Sequence, residues 1–198
     1  MLNKSALYVY SGLITTVLVV LFTACEQKQP EKKEMSKQEL IERGKFLVSV
    51  GGCEDCHSPK AFGPMGPQPD TTRSWSGHPA EMILPELNPA LVQPGKWVLF
   101  TQDLTSAVGP WGITFSANIT SDIETGIGSW QPEMFINAMR TGKHLGAGRP
   151  ILPPMPWQAI GKLSDEDLTA IFYYLKSTKP VKNKVPEPIP LDQITATK

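Results

Sequence analysis

An all-α domain is the fold class this sequence predicts, and three observations carry it. Apolar residues recur at helical spacing in three separate segments. Those segments begin at a capping residue or a first-turn proline and end at glycine or proline. No segment alternates with period two for long enough to argue for a sheet.

The leading residues need reading first. Lys4 supplies a short positive region, residues 7–22 form a nearly charge-free apolar run, and Thr23 and Ala24 lead into Cys25. That is the order of a secretory signal peptide. An uncleaved membrane anchor is the alternative, because roughly 17 to 20 apolar residues suffice to cross a bilayer. The "LFTAC" ending resembles the lipobox of bacterial lipoproteins, in which the cysteine is lipidated and becomes the new N-terminus. Residues 1–24 are therefore expected to be a signal peptide and Cys25 a lipidation site. Residues 25–35, polar and without apolar periodicity, are expected to be a flexible tether. The body of the protein is expected outside the cytoplasm, anchored to a membrane and facing the periplasm or the outer face of the cell membrane.

The first helix opens at Ser36, with Glu39 completing a capping box. Leu40, Ile41, Gly44, Leu47 and Val48 make its stripe up to the Gly51-Gly52 break. A middle helix starts near Pro132, shows Phe135, Ala138 and Met139 on one side, and stops at Gly142. In the last, Ser164 caps and Asp165, Glu166 and Asp167 load the first turn with negative charge. Leu168, Ile171, Phe172 and Leu175 form its stripe, and Lys176, Lys179 and Pro180 mark its end. Residues 58–117 read as a long irregular insertion, with a short helix at 89–92. Its Trp75, Trp97, Trp111, Phe100 and Phe115 argue that it is ordered and wrapped on the core. Residues 181–198 are a proline-rich tail, expected to lie on the domain or leave it.

The chemistry concentrates in "GGCEDCHSPK", residues 51–60. The chain has three cysteines and three histidines. If Cys25 carries lipid, Cys53 and Cys56 are the remaining sulfur. A disulfide between them closes too small a loop to stabilise much. A zinc site wants about four ligands, and no second cysteine pair or closely spaced histidine pair exists. A thioredoxin-like dithiol needs a βαβ setting, whereas Pro- and Gly-rich sequence follows here. His57, directly after Cys56, decides the matter. C-x-x-C-H is the attachment signature of c-type haem: the thiols of Cys53 and Cys56 bond to the vinyl groups, and His57 is the proximal iron ligand.

The sixth iron position takes a methionine or a histidine. Met155, in Pro153-Pro154-Met155-Pro156, sits in a loop whose φ angles proline restricts, just before the last helix. It is the expected distal ligand, with Met65 in "GPMGP", His78 and His144 as the rivals; Met134 and Met139 are expected to pack within a helix. Trp130 and Trp157 either pack on the porphyrin and reach a propionate through the indole N–H, or fill core. Arg140 and Lys143 either pair with propionates or lie on a solvated helix face. Asn118 heads a glycosylation sequon, but export of a bacterial lipoprotein argues against its use. "TGIG" lacks the lysine and spacing of a phosphate loop. Acidic and basic residues number 19 each, so no strong global steering of a charged partner is expected.

At these residues the chain resembles a monohaem class I cytochrome c, over about residues 36–180. It is similar to the cytochrome c domains of alcohol dehydrogenase cytochrome subunits. "GGCEDCH" resembles their attachment segment, "NITSDIETGIGSW" and "FINAMRTGKH" the middle of such domains, and "PPMPW" with "LSDEDLTAIFYYLKS" the axial loop and closing helix. The resemblance implies a cytochrome c-like helical domain around one covalent haem c. Its first and last helices cross beside the haem, with Gly44 and Phe46 meeting Phe172 and Tyr173. It also implies an electron carrier rather than an enzyme, with His/Met ligation leaving iron no open site. The expected partners are a dehydrogenase, a quinol-oxidising complex or a terminal oxidase, and the membrane through the lipid; no nucleic-acid partner is expected. A fixed haem subunit of a membrane dehydrogenase or oxidase is the alternative, and a haem sensor or enzyme a third. The long insertion and the single attachment motif depart from those dehydrogenase subunits.

Overall fold

A computed structural model of the chain describes residues 34–194. The expected signal peptide, Cys25 and most of the tether lie outside the described residues. No helix among the described residues is long and apolar enough to cross a membrane.

The three expected helices form where Ser36, Pro132 and Ser164 start them. Helix α1 (Lys37–Val50) carries the capping box in full: the Ser36 hydroxyl accepts from the Glu39 N–H, and the Glu39 carboxylate accepts from the Ser36 N–H. A short helix α2 (Cys53–His57) follows, entered through Gly52 at φ 62°, a left-handed turn that glycine adopts without strain. Helix α3 (Pro132–Thr141) and the four-residue α4 (Trp157–Ile160) precede α5 (Asp165–Lys176), whose Ser164 cap accepts from the Asp167 N–H.

Helices α1 and α5 cross at Gly44. A Cβ built there would lie 2.0 Å from the Ala170 carbonyl oxygen, so only a residue without a side chain allows this approach. Arg43 bridges to Asp167 at 2.9 Å beside the crossing. Of the other residues expected there, Phe172 is buried and Tyr173 is half-buried against it, but Phe46 points to solvent at 57% exposure. Phe46 follows the crossing residue by two positions, and that spacing turns a helical side chain away from the neighbour. Phe135 of α3 meets Phe172 with ring centroids 6.0 Å apart. Val48, Ile127, Phe135, Ala138, Met139, Leu168, Ile171, Phe172 and Leu175 make one core, which Trp75 of the insertion joins.

The insertion differs from the irregular segment expected. A hairpin pairs β1 (Lys60–Gly63) with β2 (Gly66–Pro69). A three-stranded antiparallel sheet follows in the order β3 (Leu99–Phe100), β4 (Ser106–Gly109), β5 (Gly112–Phe115). These strands escape a period-two reading for physical reasons. None exceeds four residues; β1 and β2 face solvent along most of their length, and three of the four β4 residues are buried. The short helix at 89–92 appears as a 3₁₀ turn, Pro89–Leu91. Trp97 and Phe100 are exposed, so Trp75 makes the tie to the core.

The described part of the tail lies on the domain. Ile189 and Ile113 exchange backbone hydrogen bonds of 2.8 and 3.0 Å, adding a bridge at the edge of β5. The Asn118 side chain donates to the Val181 carbonyl at 2.8 Å.

Candidate haem site

Helix α2 is one and a half turns long, and Cys53, Cys56 and His57 stand at i, i+3 and i+4 on it. That spacing gathers two thiols and an imidazole on one helical face. Both cysteines are free and half-buried. Burial pushes both thiols up from their ordinary range; Lys60 partly opposes this at Cys56.

His57 is 9% exposed. Its Nδ1 lies 2.8 Å from the Ala117 carbonyl. A carbonyl only accepts, so Nδ1 carries the proton and the ring presents the Nε2 lone pair. Burial holds the imidazole below the usual histidine range, and the Ala117 carbonyl partly offsets that. A neutral ring with Nδ1–H tied to a backbone carbonyl is how a metal-ligating histidine is held. Lys60, just past the motif, donates to the carbonyls of Asp55, Ser58 and Asp103, tying the C-terminal end of α2 to the β3–β4 loop.

Met155, Trp130 and Trp157, with Cys53, lie against the same core as half-buried apolar side chains, beside Ile119, Ile151 and Ile160. Each keeps some apolar area at the surface. With two free thiols and an oriented Nε2, the donor set fits haem c. No group of three or more His, Cys, Asp or Glu among the described residues could hold a metal ion without it.

The remaining candidates sort by position. Met65 is 88% exposed in the β1–β2 turn. His78 is buried, with Nδ1 2.8 Å from the Thr105 hydroxyl and its ring tilted against Phe115. His144 meets Trp130 edge to face, 5.1 Å between centroids. Met139 fills core as expected, whereas Met134 is 41% exposed. Arg140 donates to the carbonyls of Gly161 and Leu163 and pairs with Asp165 at 2.6 Å, tying α3 to the start of α5. The side chain that makes these contacts stays 35% exposed, as the solvated-face reading expects. Asn118 is buried and hydrogen-bonded, so the sequon is not presented to solvent. The Ala117 carbonyl escaped sequence reasoning because a backbone acceptor has no residue signature.

No family model matches this chain. It is 38% identical over 81 residues to the cytochrome c subunit of a quinone alcohol dehydrogenase of Gluconobacter oxydans, covering 39% of this chain and 17% of that protein. It is 29% identical over 149 residues to the gluconate 2-dehydrogenase cytochrome c subunit of Pantoea cypripedii, 75% of this chain and 25% of that one. This likeness supports a cytochrome c domain. A stretch of 79 residues is also 35% identical to the fructose dehydrogenase cytochrome subunit of Gluconobacter japonicus, 39% of this chain and 16% of that protein. The chain thus spans a quarter or less of the length of these relatives.

Proposed function

We propose that this chain is a membrane-tethered electron carrier holding one haem c. The observation that carries the reading is the hydrogen bond from His57 Nδ1 to Ala117, on a helix whose same face bears Cys53 and Cys56. Each thiol would add across a vinyl group, the S–C bond forming as the thiol hydrogen passes to the neighbouring carbon. His57 would supply Nε2 as proximal ligand and Met155 its thioether as distal ligand, between prolines that limit how far it strays. When bound, haem c supplies a reversible one-electron couple, and His/Met ligation sets it toward high potential. The protein's part is to hold both donors still and to cover most of the ring with Trp130, Trp157 and the neighbouring isoleucines. Cys25, as a lipidation site, would tether this unit to the membrane on its outer side.

The similar proteins are cytochrome subunits of dehydrogenases, which supports a dehydrogenase as electron donor and a fixed place in such a complex as a second reading. The test is the full chain produced with export and haem-ligation machinery. We expect a mass increased by one haem, colour that survives acid–acetone extraction, and a reversible one-electron titration. Cys53→Ser leaves at most one thioether link. A colourless chain of unmodified mass overturns the reading. Co-purification of the wild type from membranes with a dehydrogenase favours the subunit over the free carrier.

A further inference from the structure

The carbonyl that orients His57 is held in place from outside α2, and tracing its support leads to the tail. Gly77 donates its N–H to the carbonyl of His57 itself at 2.8 Å, and His78 donates to the carbonyl of Ser116 at 2.9 Å. Residues 77 and 78 are therefore stitched to the histidine on one side and to the residue before its acceptor on the other. Gly77 has φ 74°, and a Cβ built on it would lie 2.3 Å from the Ser116 oxygen and 2.5 Å from the Ala117 carbonyl carbon. The two backbones touch with nothing between them.

What holds residues 76–80 in turn is the side-chain amide of Asn183. Its Nδ2 donates to the carbonyls of Ser76 at 2.7 Å and His78 at 2.8 Å, and its Oδ1 accepts from the Ala80 N–H at 3.1 Å. Both amide hydrogens and the oxygen are engaged, so the group has one orientation: flipped, its oxygen would face two carbonyl oxygens. Asn183 is itself fixed by its N–H to the Thr125 hydroxyl at 3.0 Å and by Asn118 Nδ2 on its carbonyl at 3.3 Å.

We propose that Asn183 is a positioning residue for the proximal ligand. Through residues 76–80 it fixes the His57–Ala117 hydrogen bond, and with it the basicity of the iron ligand and the reduction potential. This rests on the haem reading above. A firm Nδ1–H···O bond makes the imidazole a stronger donor to iron and favours the ferric form; loosening it raises the potential.

The test compares the full haem-loaded chain with Asn183→Ala, Asn183→Ser and a control, Val92→Ala. Val92 is fully buried in the insertion, and its backbone N–H bonds to Pro89 rather than to Asn183, His57 or residues 76–80. Asn183→Ser is uncharged and removes the bonds to Ser76, His78 and Ala80 without setting an oxygen against two carbonyls, guarding against a variant that fails to fold. Where the ferric state loses about 1 kcal/mol more than the ferrous state, the size of one hydrogen bond, the ferric-to-ferrous ratio changes about fivefold, an upward shift of about 40 mV at 59 mV per tenfold. We expect a shift of that order in both Asn183 variants, with faster solvent exchange of the His57 Nδ1 proton by NMR of the reduced protein. Val92→Ala is expected to lower stability with potential and proton unchanged. Asn183 variants that lose stability while potential and proton stay put overturn the proposal and leave the haem reading standing, as does a Val92→Ala shift of equal size. A wild type without covalent haem overturns both.

Discussion

Replacing Gly44 with alanine tests the helix crossing through the sign of the outcome. In an open helix this change stabilises by about 1 kcal/mol, because alanine loses less backbone entropy than glycine. Here the added Cβ would stand 2.0 Å from the Ala170 oxygen, 2.6 Å from its carbonyl carbon and 2.8 Å from the Tyr174 Cβ. The first two are backbone atoms that cannot rotate away, so α1 and α5 must separate by about an ångström, loosening Phe172 and Leu168 behind them. Overpacking of this kind costs about 1–3 kcal/mol and occasionally more, and contacts this short place it at the upper end. The net loss is about 2 kcal/mol. For a domain of this size each kcal/mol moves Tm by about 2–4 °C, so the expected fall is about 4–8 °C. Thermal unfolding followed by far-UV circular dichroism, on wild type and variant loaded alike, reads it. A Gly44→Ala protein as stable as wild type, or more so, would show that the two helices do not meet at this residue.

Met155→Ala in the oxidised holoprotein should abolish the weak red-edge charge-transfer band that thioether ligation gives, lower the potential, and open a site for carbon monoxide. Ready carbon monoxide binding by the wild type, unchanged in the variant, would instead move the sensor or enzyme reading ahead. Burial depresses the folded pKa of His78, with Asp103 and Glu81 partly offsetting it. The unfolded chain therefore takes up the proton first, and stability falls as pH drops below the ordinary value of 6.5. Urea unfolding between about pH 5 and 7.5 should show a shallower acid-side decline in His78→Gln, by at most about 1.4 kcal/mol per pH unit; parallel profiles would exclude His78 as the source.

Cys53, Cys56 and His57 stood out in the sequence because the haem-attachment signature needs those residue types at that spacing, whatever surrounds them. Helices α1 and α5 were legible because Ser36 with Glu39, and Ser164 with its acidic first turn, announce their starts chemically. The sheets of the insertion were not, since β3 is two residues long and β4, Ser-Ala-Val-Gly, is too small and too buried to alternate. Asn183 looked like an ordinary polar residue in a proline-rich tail, and Asn118 stood out only as the head of a sequon. Their worth lies in the unpaired backbone groups of segments far away in sequence, which only the fold brings to them. The same holds for Arg140, whose partners are carbonyls of the loop entering α5.

The meeting of α1 with α5 also bears on the order in which this molecule can be assembled. Helices α1 and α2 precede residues 165–189, which supply α5, Asn183 and the Ile189 bridge, and so emerge first into the compartment where the chain folds. Until those late segments arrive, α1 has no Ala170 backbone to lie against and residues 76–80 have no amide to hold them. Contacts so distant along the chain form late and slowly. The two thiols of α2 are consequently more open to a modifying enzyme during that interval than in the closed domain, where both are half-buried.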